Sequence, residues 1–237
     1  MQSKKIGIIG AMDIEVENLK VALADCKITK IAEMEFYEGI LNKKNVVIVK
    51  SGIGKVNSAR CAQILCDKFN VDIIVNTGIG GGVGEGLDIE DMIIGDELCQ
   101  HDFDVTGFGY PKGYMFLGDK DKITVFKSDE YLVECAKKAS KIHMPDEKIK
   151  VGRIATGDIF VNSSQKRLEI RNEFGALVCE MEGGAIAQCA SANNVPFVVL
   201  RTISDLADGL AVDSYEEFEK RAAYLCGEII KSFVEVI

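Results

Sequence analysis

The apolar positions of the chain fall into short runs rich in β-branched residues, separated by segments of helical period. KIGIIG at residues 5–10 predicts a first strand. AMDIEVENLKVALAD then predicts a helix in which Ile14, Leu19, Ala22 and Leu23 share a face. Residues 35–41 and 45–50 read as strands joined by a hairpin at Asn42-Lys43-Lys44. SGIGKVNSARCAQIL opens a helix that runs to about Lys68, and VDIIVNTG reads as a buried strand. Residues 89–99 are extended, and 101–118 form a long, aromatic-rich connection. The alternation continues with a helix at 129–142, a strand at 148–156, a helix at 163–173 and a short strand at 176–179. GGAIAQCASANN predicts a small-residue helix, 195–203 a buried strand and 215–236 a long amphipathic helix. No linker, low-complexity stretch or repeat interrupts the series, so residues 1–237 read as one domain. The predicted class is α/β: a three-layer domain with helices flanking a mostly parallel or mixed sheet.

Composition narrows the function classes. A chain of 237 residues, 47% hydrophobic and 27% charged, can bury a large core, which excludes a disordered acidic tail or a collagen-like chain. The formal charge of -9 repels phosphate backbones, so no nucleic-acid partner is expected. The N-terminal apolar run stops at Asp13 and Glu15 and reads as a strand rather than a signal peptide. No stretch is long enough to span a bilayer, and no membrane partner is expected. The eight cysteines are scattered without a C-x-x-C pair, and His101 and His143 are the only histidines. That spacing predicts no metal site, and free thiols fit a reducing compartment, here read as the cytoplasm.

In an α/β fold, ligands gather beyond the carboxyl ends of the strands. At those places the sequence puts GAMDIE, NTGIGGG, EMEGG and RTISD. GIIGAM lacks the spacing of a dinucleotide loop, and no P-loop lysine–hydroxyl pair is present. Gly80, Gly81 and Gly82 suit a tight turn or the close approach of a small molecule. Glu180 and Glu182 flank Met181; if the strand runs through them, both carboxylates share one side. A buried carboxylate needs partners, and vicinal ribose hydroxyls would supply two donors. Surface solvation is the rival account, against which the apolar flanks ALVC and GGAIAQCA weigh. Asp205 ends an apolar run with Arg201 four residues earlier, and serves either as a proton donor or as a helix cap. Glu15 sits in a helix first turn, where acidic residues are common for the dipole alone. Phe160 in TGDIFVNSS suits stacking on a planar ring, with the Val161 backbone reading its edge, or plain core packing. His101 and Asp102 read as a structural pair.

KIGIIGAMDIEVENL, KSGIGKVNSA, VNTGIGGG, HDFDVTGFGY, TGDIFVN, CEMEGGAIAQ and VPFVVLRTISDLAD follow one another in order. Together they resemble the 5′-methylthioadenosine/S-adenosylhomocysteine nucleosidases of the nucleoside phosphorylase superfamily, from Lys5 to about Lys231. The resemblance implies a central mixed, barrel-like sheet surrounded by helices, a homodimer, no cofactor, and hydrolysis of an adenine nucleoside with water as co-substrate. It implies Asp205 as general acid at adenine N7, supported by Ser204, and Glu15 with Arg201 at the attacking water. Glu182 would hold the ribose hydroxyls with the Met181 backbone, Glu180 lying beside them. Phe160 would stack on the base, and Val161 would read its edge. Met12 and Ile53 would line the ribose and thioether region. Val105, Phe108 and Tyr110 would shape the alkylthio pocket, partly across the dimer interface. Tyr215 stands where the family commonly has a phenylalanine. Ile79 stands where members often have a serine near the water, and an isoleucine side chain cannot hydrogen-bond to it. YPKGYMFLGD also lacks the longer Gln-Pro-containing segment of well-known members, which points to 5′-deoxyadenosine or aminofutalosine-like nucleosides as extra or alternative substrates. A purine nucleoside phosphorylase and a non-catalytic nucleoside-binding module are the competing readings.

Overall fold

The computed structural model describes residues 4–207 and 215–237, with the backbone alone at 215–217. The first half runs β1 (Lys5–Gly10), α1 (Asp13–Val21), β2 (Ala24–Ile31), β3 (Met34–Leu41), β4 (Lys44–Lys50), α2 (Lys55–Phe69), β5 (Ile73–Asn76), β6 (Ile79–Gly82) and β7 (Met92–Gln100). The second runs β8 (Phe126–Lys127), α3 (Glu130–Ser140), β9 (Ile149–Thr156), α4 (Ser164–Phe174), β10 (Val178–Glu180), α5 (Gly183–Ala192), β11 (Phe197–Asp205) and α6 (Tyr215–Val236).

The strands form one mixed sheet in the order β2-β3-β4-β1-β5-β11-β6-β10-β9-β7-β8. β7 also pairs with β11, so β11, β6, β10, β9 and β7 close on themselves as a barrel. Its seams are antiparallel, β6 with β10 and β7 with β11, while the other barrel pairs are parallel. The sheet and barrel expected from the resemblance are therefore present.

Alternation along the central strands divides the core. Ile8, Val46, Ile48, Val75, Val198 and Leu200 face α1, α3 and α6. Ile9, Val47, Val49, Ile74 and Val199 face α2 and α5. Adjacent residues point to opposite faces of a strand, and both faces are covered, so these strands read as unbroken apolar runs. β11 is buried at every position. Near its end the pairing with β6 shifts between Ile203 and Asp205, a bulge that re-aims Ser204 and Asp205 where the chain leaves the core.

Local expectations fail where pairing with distant residues decides. α1 stops at Val21, burying Glu15, Val16 and Leu19, while Ala22 is the cap and Leu23 lies outside the helix. The residues after it form β2, a mostly exposed edge strand whose charges Asp25, Lys27 and Lys30 hide its period. The hairpin turn is Asn42-Lys43 alone, with φ of 46° and 65°, because Lys44 already pairs with Leu41. The glycines after Ile79 are not a turn but strand β6. A Cβ at Gly80 would lie 2.6 Å from Val178 Cγ1 and 3.1 Å from the Cys179 carbonyl, so barrel closure needs glycine there. β10 ends at Glu180, so Glu180 and Glu182 do not share one strand face. Among the described residues no helix is long and apolar enough to cross a membrane.

Candidate active site

The ends of β1, β10 and β11 and the start of β6 open onto a cavity of about 130 Å³. Glu15, in the first turn of α1, forms one wall. Its Oε2 accepts the backbone N–H groups of Ala11 (2.6 Å) and Met12 (2.9 Å), and its Oε1 accepts that of Ile79 (3.1 Å). The carboxylate thus caps its own helix while lining the cavity. Burial raises its pKa, against the opposing pull of the Arg201 guanidinium and the backbone donors. A Cβ at Gly78 would collide with this carboxylate.

Behind the cavity lies Arg201, 1% exposed. It donates to the Glu180 carboxylate, to Asn76 Oδ1 (2.6 Å) and to the Leu200 carbonyl (3.0 Å). Glu180 also accepts the Thr156 hydroxyl and the backbone N–H groups of Glu182 (3.1 Å) and Gly183 (2.7 Å). These bonds occupy both oxygens of Glu180, making a closed buried ion pair. Burial alone would lower the Arg201 pKa, but Glu180, Glu182 and Glu15 raise it, so it stays a cation.

Glu182, at the N-cap of α5, has far fewer partners. Its Oε1 accepts the Gly54 N–H (2.8 Å), and its Oε2 lies 3.9 Å from Arg201. Burial first, then the Glu180 carboxylate, push its pKa up to about 8, with Arg201 pulling the other way. Opposite stands Asp205, whose Oδ2 accepts the Ser204 hydroxyl (2.9 Å) and whose Oδ1 accepts the Ala207 N–H (2.8 Å). Asp205 thus caps a turn and faces the cavity at once.

Met12, Ile53, Ile79, Phe160, Val161, Glu180, Met181 and Ser204 complete the predicted set that the structure gathers around the cavity. Phe160 is 59% exposed at its mouth rather than packed in the core. Ile79 packs with Met12, Ile14, Ala222 and Ala223, making an apolar wall beside Glu15. Arg201 does not line the cavity, and neither do Val105, Phe108 and Tyr110. Phe108 is 78% exposed, and Tyr110 lies tilted against Tyr114 at 5.0 Å and edge-on to Phe116 at 5.5 Å. The side chain of Tyr215 lies outside the described residues. Gly80 and Gly81 also line it, as the close-approach reading had them, and the lining residues not foreseen are Ala11, Ile159 and Cys179. Most of these adjoin residues that were, but nothing in the sequence separates Cys179 from the other buried thiols. His101 and Asp102 do not pair: the ring is buried with neither nitrogen hydrogen-bonded, and Asp102 binds Lys55. Among the described residues no cluster of His, Cys, Asp and Glu could hold a metal ion.

The geometry offers a slot with an aromatic side chain at its mouth, a hydrogen-bonded carboxyl on one wall, and a buried group of carboxylates with a single cation behind. It is suited to a flat base joined to a hydroxylated ring on which positive charge develops. A family profile, described as the phosphorylase superfamily, matches residues 5–235. A 5′-methylthioadenosine/S-adenosylhomocysteine nucleosidase of Staphylococcus haemolyticus is 41% identical over 233 residues, covering 98% of this chain and 100% of that one. The crystal structure of a nucleosidase of that name from Neisseria meningitidis, in complex with methylthio-immucillin-A, superposes with a TM-score of 0.92 at 38% identity, over 99% of this chain and 100% of that one. A futalosine hydrolase of Helicobacter pylori superposes with a TM-score of 0.90 at 31% identity, over 99% of both chains.

Proposed function

The chain belongs to the phosphorylase superfamily and, within it, to the 5′-methylthioadenosine/S-adenosylhomocysteine nucleosidases, and from that premise we propose how its cavity divides the work. The protein is an N-glycosidic hydrolase that cleaves 5′-methylthioadenosine and S-adenosylhomocysteine to adenine and the 5-substituted ribose.

Adenine is a poor leaving group until its ring accepts a proton, and Asp205 is the acid we assign to N7. The Ser204 hydroxyl and Ala207 N–H hold that carboxyl in place. General acid catalysis of this kind contributes roughly 10²- to 10⁴-fold. As the bond stretches, positive charge spreads over the ribosyl ring, where Glu182 and Glu15 stabilise it. Glu182, with its sparse partners, takes the ribose hydroxyls beside the Met181 backbone. Glu15 orients and deprotonates the water that attacks the anomeric carbon. Arg201 keeps the carboxylate group compact from behind, through Glu180. Phe160 stacks on the base and the Val161 backbone reads its edge. Met12, Ile53 and the Ile79 wall receive the apolar 5′ end.

The observation that carries this reading is the convergence of Glu15, Glu182 and Asp205 on one cavity that, among the described residues, no lysine or arginine lines. A phosphate dianion there would meet carboxylates and no free cation, which favours water over phosphate. The deciding measurement is adenine release from 5′-methylthioadenosine with and without phosphate. A rate that requires phosphate, with ribose 1-phosphate as product, would defeat the hydrolytic assignment.

We also propose a homodimer in which Val105, Phe108 and Tyr110 reach the partner's cavity. The exposure of Phe108, and its separation from its own chain's cavity, support this. Light scattering that gives a monomer at working concentration would overturn it. All eight cysteines are free, which supports a reducing compartment such as the cytoplasm.

A further inference from the structure

Outside the cavity, Lys55, Asp102 and Asp158 come together from separate parts of the chain. Lys55 opens α2, Asp102 follows β7, and Asp158 lies in the loop after β9. Lys55 Nζ donates to Asp102 Oδ1 (2.7 Å) and to Gln100 Oε1 (3.2 Å). Asp102 Oδ2 accepts the Asp158 N–H (2.8 Å), and Asp158 Oδ1 accepts the Lys55 N–H (2.8 Å). Each residue is thus bonded to both others. The Lys55 and Asp102 side chains are only 19% and 15% exposed, so water and salt screen the pair less than a surface ion pair. Burial works against the Asp102 carboxylate, yet the Lys55 ammonium and the Asp158 N–H hold its pKa below the ordinary value.

None of the three lines the cavity, but Ile53, two residues before Lys55, and Ile159, next to Asp158, do. Gly54, just before Lys55, donates its N–H to Glu182 Oε1 (2.8 Å). Gly54 has a φ of +98°, and a Cβ there would lie 3.0 Å from Asp158 Oδ1, so the bonded cycle sits directly against it. Ile159, Phe160 and Val161 follow Asp158 and form the other lip. Glu15 and Asp205 take no hydrogen bond from any member of the cycle.

We propose that Lys55, Asp102 and Asp158 form a latch that positions the two lips of the cavity for nucleoside capture, acting through the Gly54–Glu182 bond and through Phe160. They are positioning residues. The inference rests on the assignment of Glu182 to the ribose and Phe160 to the base. Because the latch leaves Glu15 and Asp205 untouched and reaches Glu182 only through the Gly54 N–H, its loss weakens binding of the nucleoside more than the chemical step.

The test is steady-state hydrolysis of 5′-methylthioadenosine, with adenine as a competitive inhibitor to read the base lip alone. Asp102→Ala and Lys55→Met are each expected to raise KM, and the inhibition constant of adenine, roughly tenfold, with kcat within about twofold of wild type. The double variant should be no worse than the weaker single, since one broken link already opens the cycle. Lys55→Arg should restore most of the loss. Asp102→Asn, which keeps an acceptor for the Asp158 N–H, serves if the alanine variant does not fold, and should raise KM by a smaller factor. A fall in kcat at unchanged KM, additive losses in the double variant, or wild-type KM in both single variants would each overturn the latch. Failure of the wild-type protein to release adenine would instead strike the assignment on which the latch rests.

Discussion

Replacing Arg201 by methionine is the perturbation whose outcome the structure determines most fully. The guanidinium is buried, bonded to Glu180, Asn76 and the Leu200 carbonyl, and stands 3.9 Å from Glu182. Methionine fills most of the volume, so the cavity term is small and the electrostatic one dominates. Glu180 keeps the Thr156 hydroxyl and two backbone donors but loses its counter-charge. Removing one partner of a buried pair costs about 3–5 kcal/mol. For a domain of this size each kcal/mol moves Tm by about 2–4 °C, so a drop of roughly 6–20 °C is expected. Glu182 and Glu15, whose pKa values burial already raises, can take up protons once the guanidinium is gone, so the loss should be smaller at pH 5 than at pH 8. Adding Glu180→Gln removes the orphaned charge and should recover most, though not all, of the stability, because Glu182 and Glu15 also lose their cation. The assay is urea unfolding of the single and double variants at both pH values. A single variant within about 1 kcal/mol of wild type at pH 8 would refute this account of the ion pair. So would a double variant whose loss equals the sum of both singles.

Asp205→Asn keeps an acceptor for the Ala207 N–H but removes the transferable proton. Its kcat should fall by about 10²–10⁴ while nucleoside binding by calorimetry persists, and unchanged adenine release would refute the acid role. Gly78→Ala drives a Cβ into the Glu15 carboxylate. Displacement of that group by about 1 Å should lower kcat roughly 10²-fold in a protein whose circular dichroism is native, and wild-type turnover would show that Glu15 need not be held there. For stability against pH the sign follows from Glu182, whose pKa rises from 4.5 to about 8 on folding. Between those values the folded state binds more protons than the unfolded one, so stability should fall as pH rises through the window. Glu15, shifted the same way, adds to the slope. Glu182→Gln should flatten the decline in denaturant titrations, and an unchanged slope would remove Glu182 as its cause.

Much of the site could be read from the chain because it lies at strand ends, where a charged residue following an apolar run is visible locally. Glu15, Glu182 and Asp205 were identifiable in this way, and the bland alternatives for two of them also hold: Glu15 caps α1 and Asp205 caps a turn. The residues flanking Met181 look equivalent in sequence, yet their surroundings separate them. Glu180 is consumed by Arg201, Thr156 and backbone donors, while Glu182 keeps few partners beside the cavity. Val105, Phe108 and Tyr110 lie in a recognisable motif, yet the structure sets them apart from this chain's cavity, and no local pattern encodes that.

The sequence by itself determined the alternation of strands and helices, the faces of the central strands, the carboxylates at the strand ends and the family. Hydrophobic period and ordered motifs are local properties, legible without a partner. Only the tertiary structure decided that Ile79–Gly82 is a strand closing a barrel, that 24–31 is an edge strand, and that Arg201 lies behind the cavity. It alone joined Lys55, Asp102 and Asp158. Each of these depends on pairing between residues far apart in the chain, where register, burial and the competition for a single guanidinium are settled by packing rather than by neighbours in sequence.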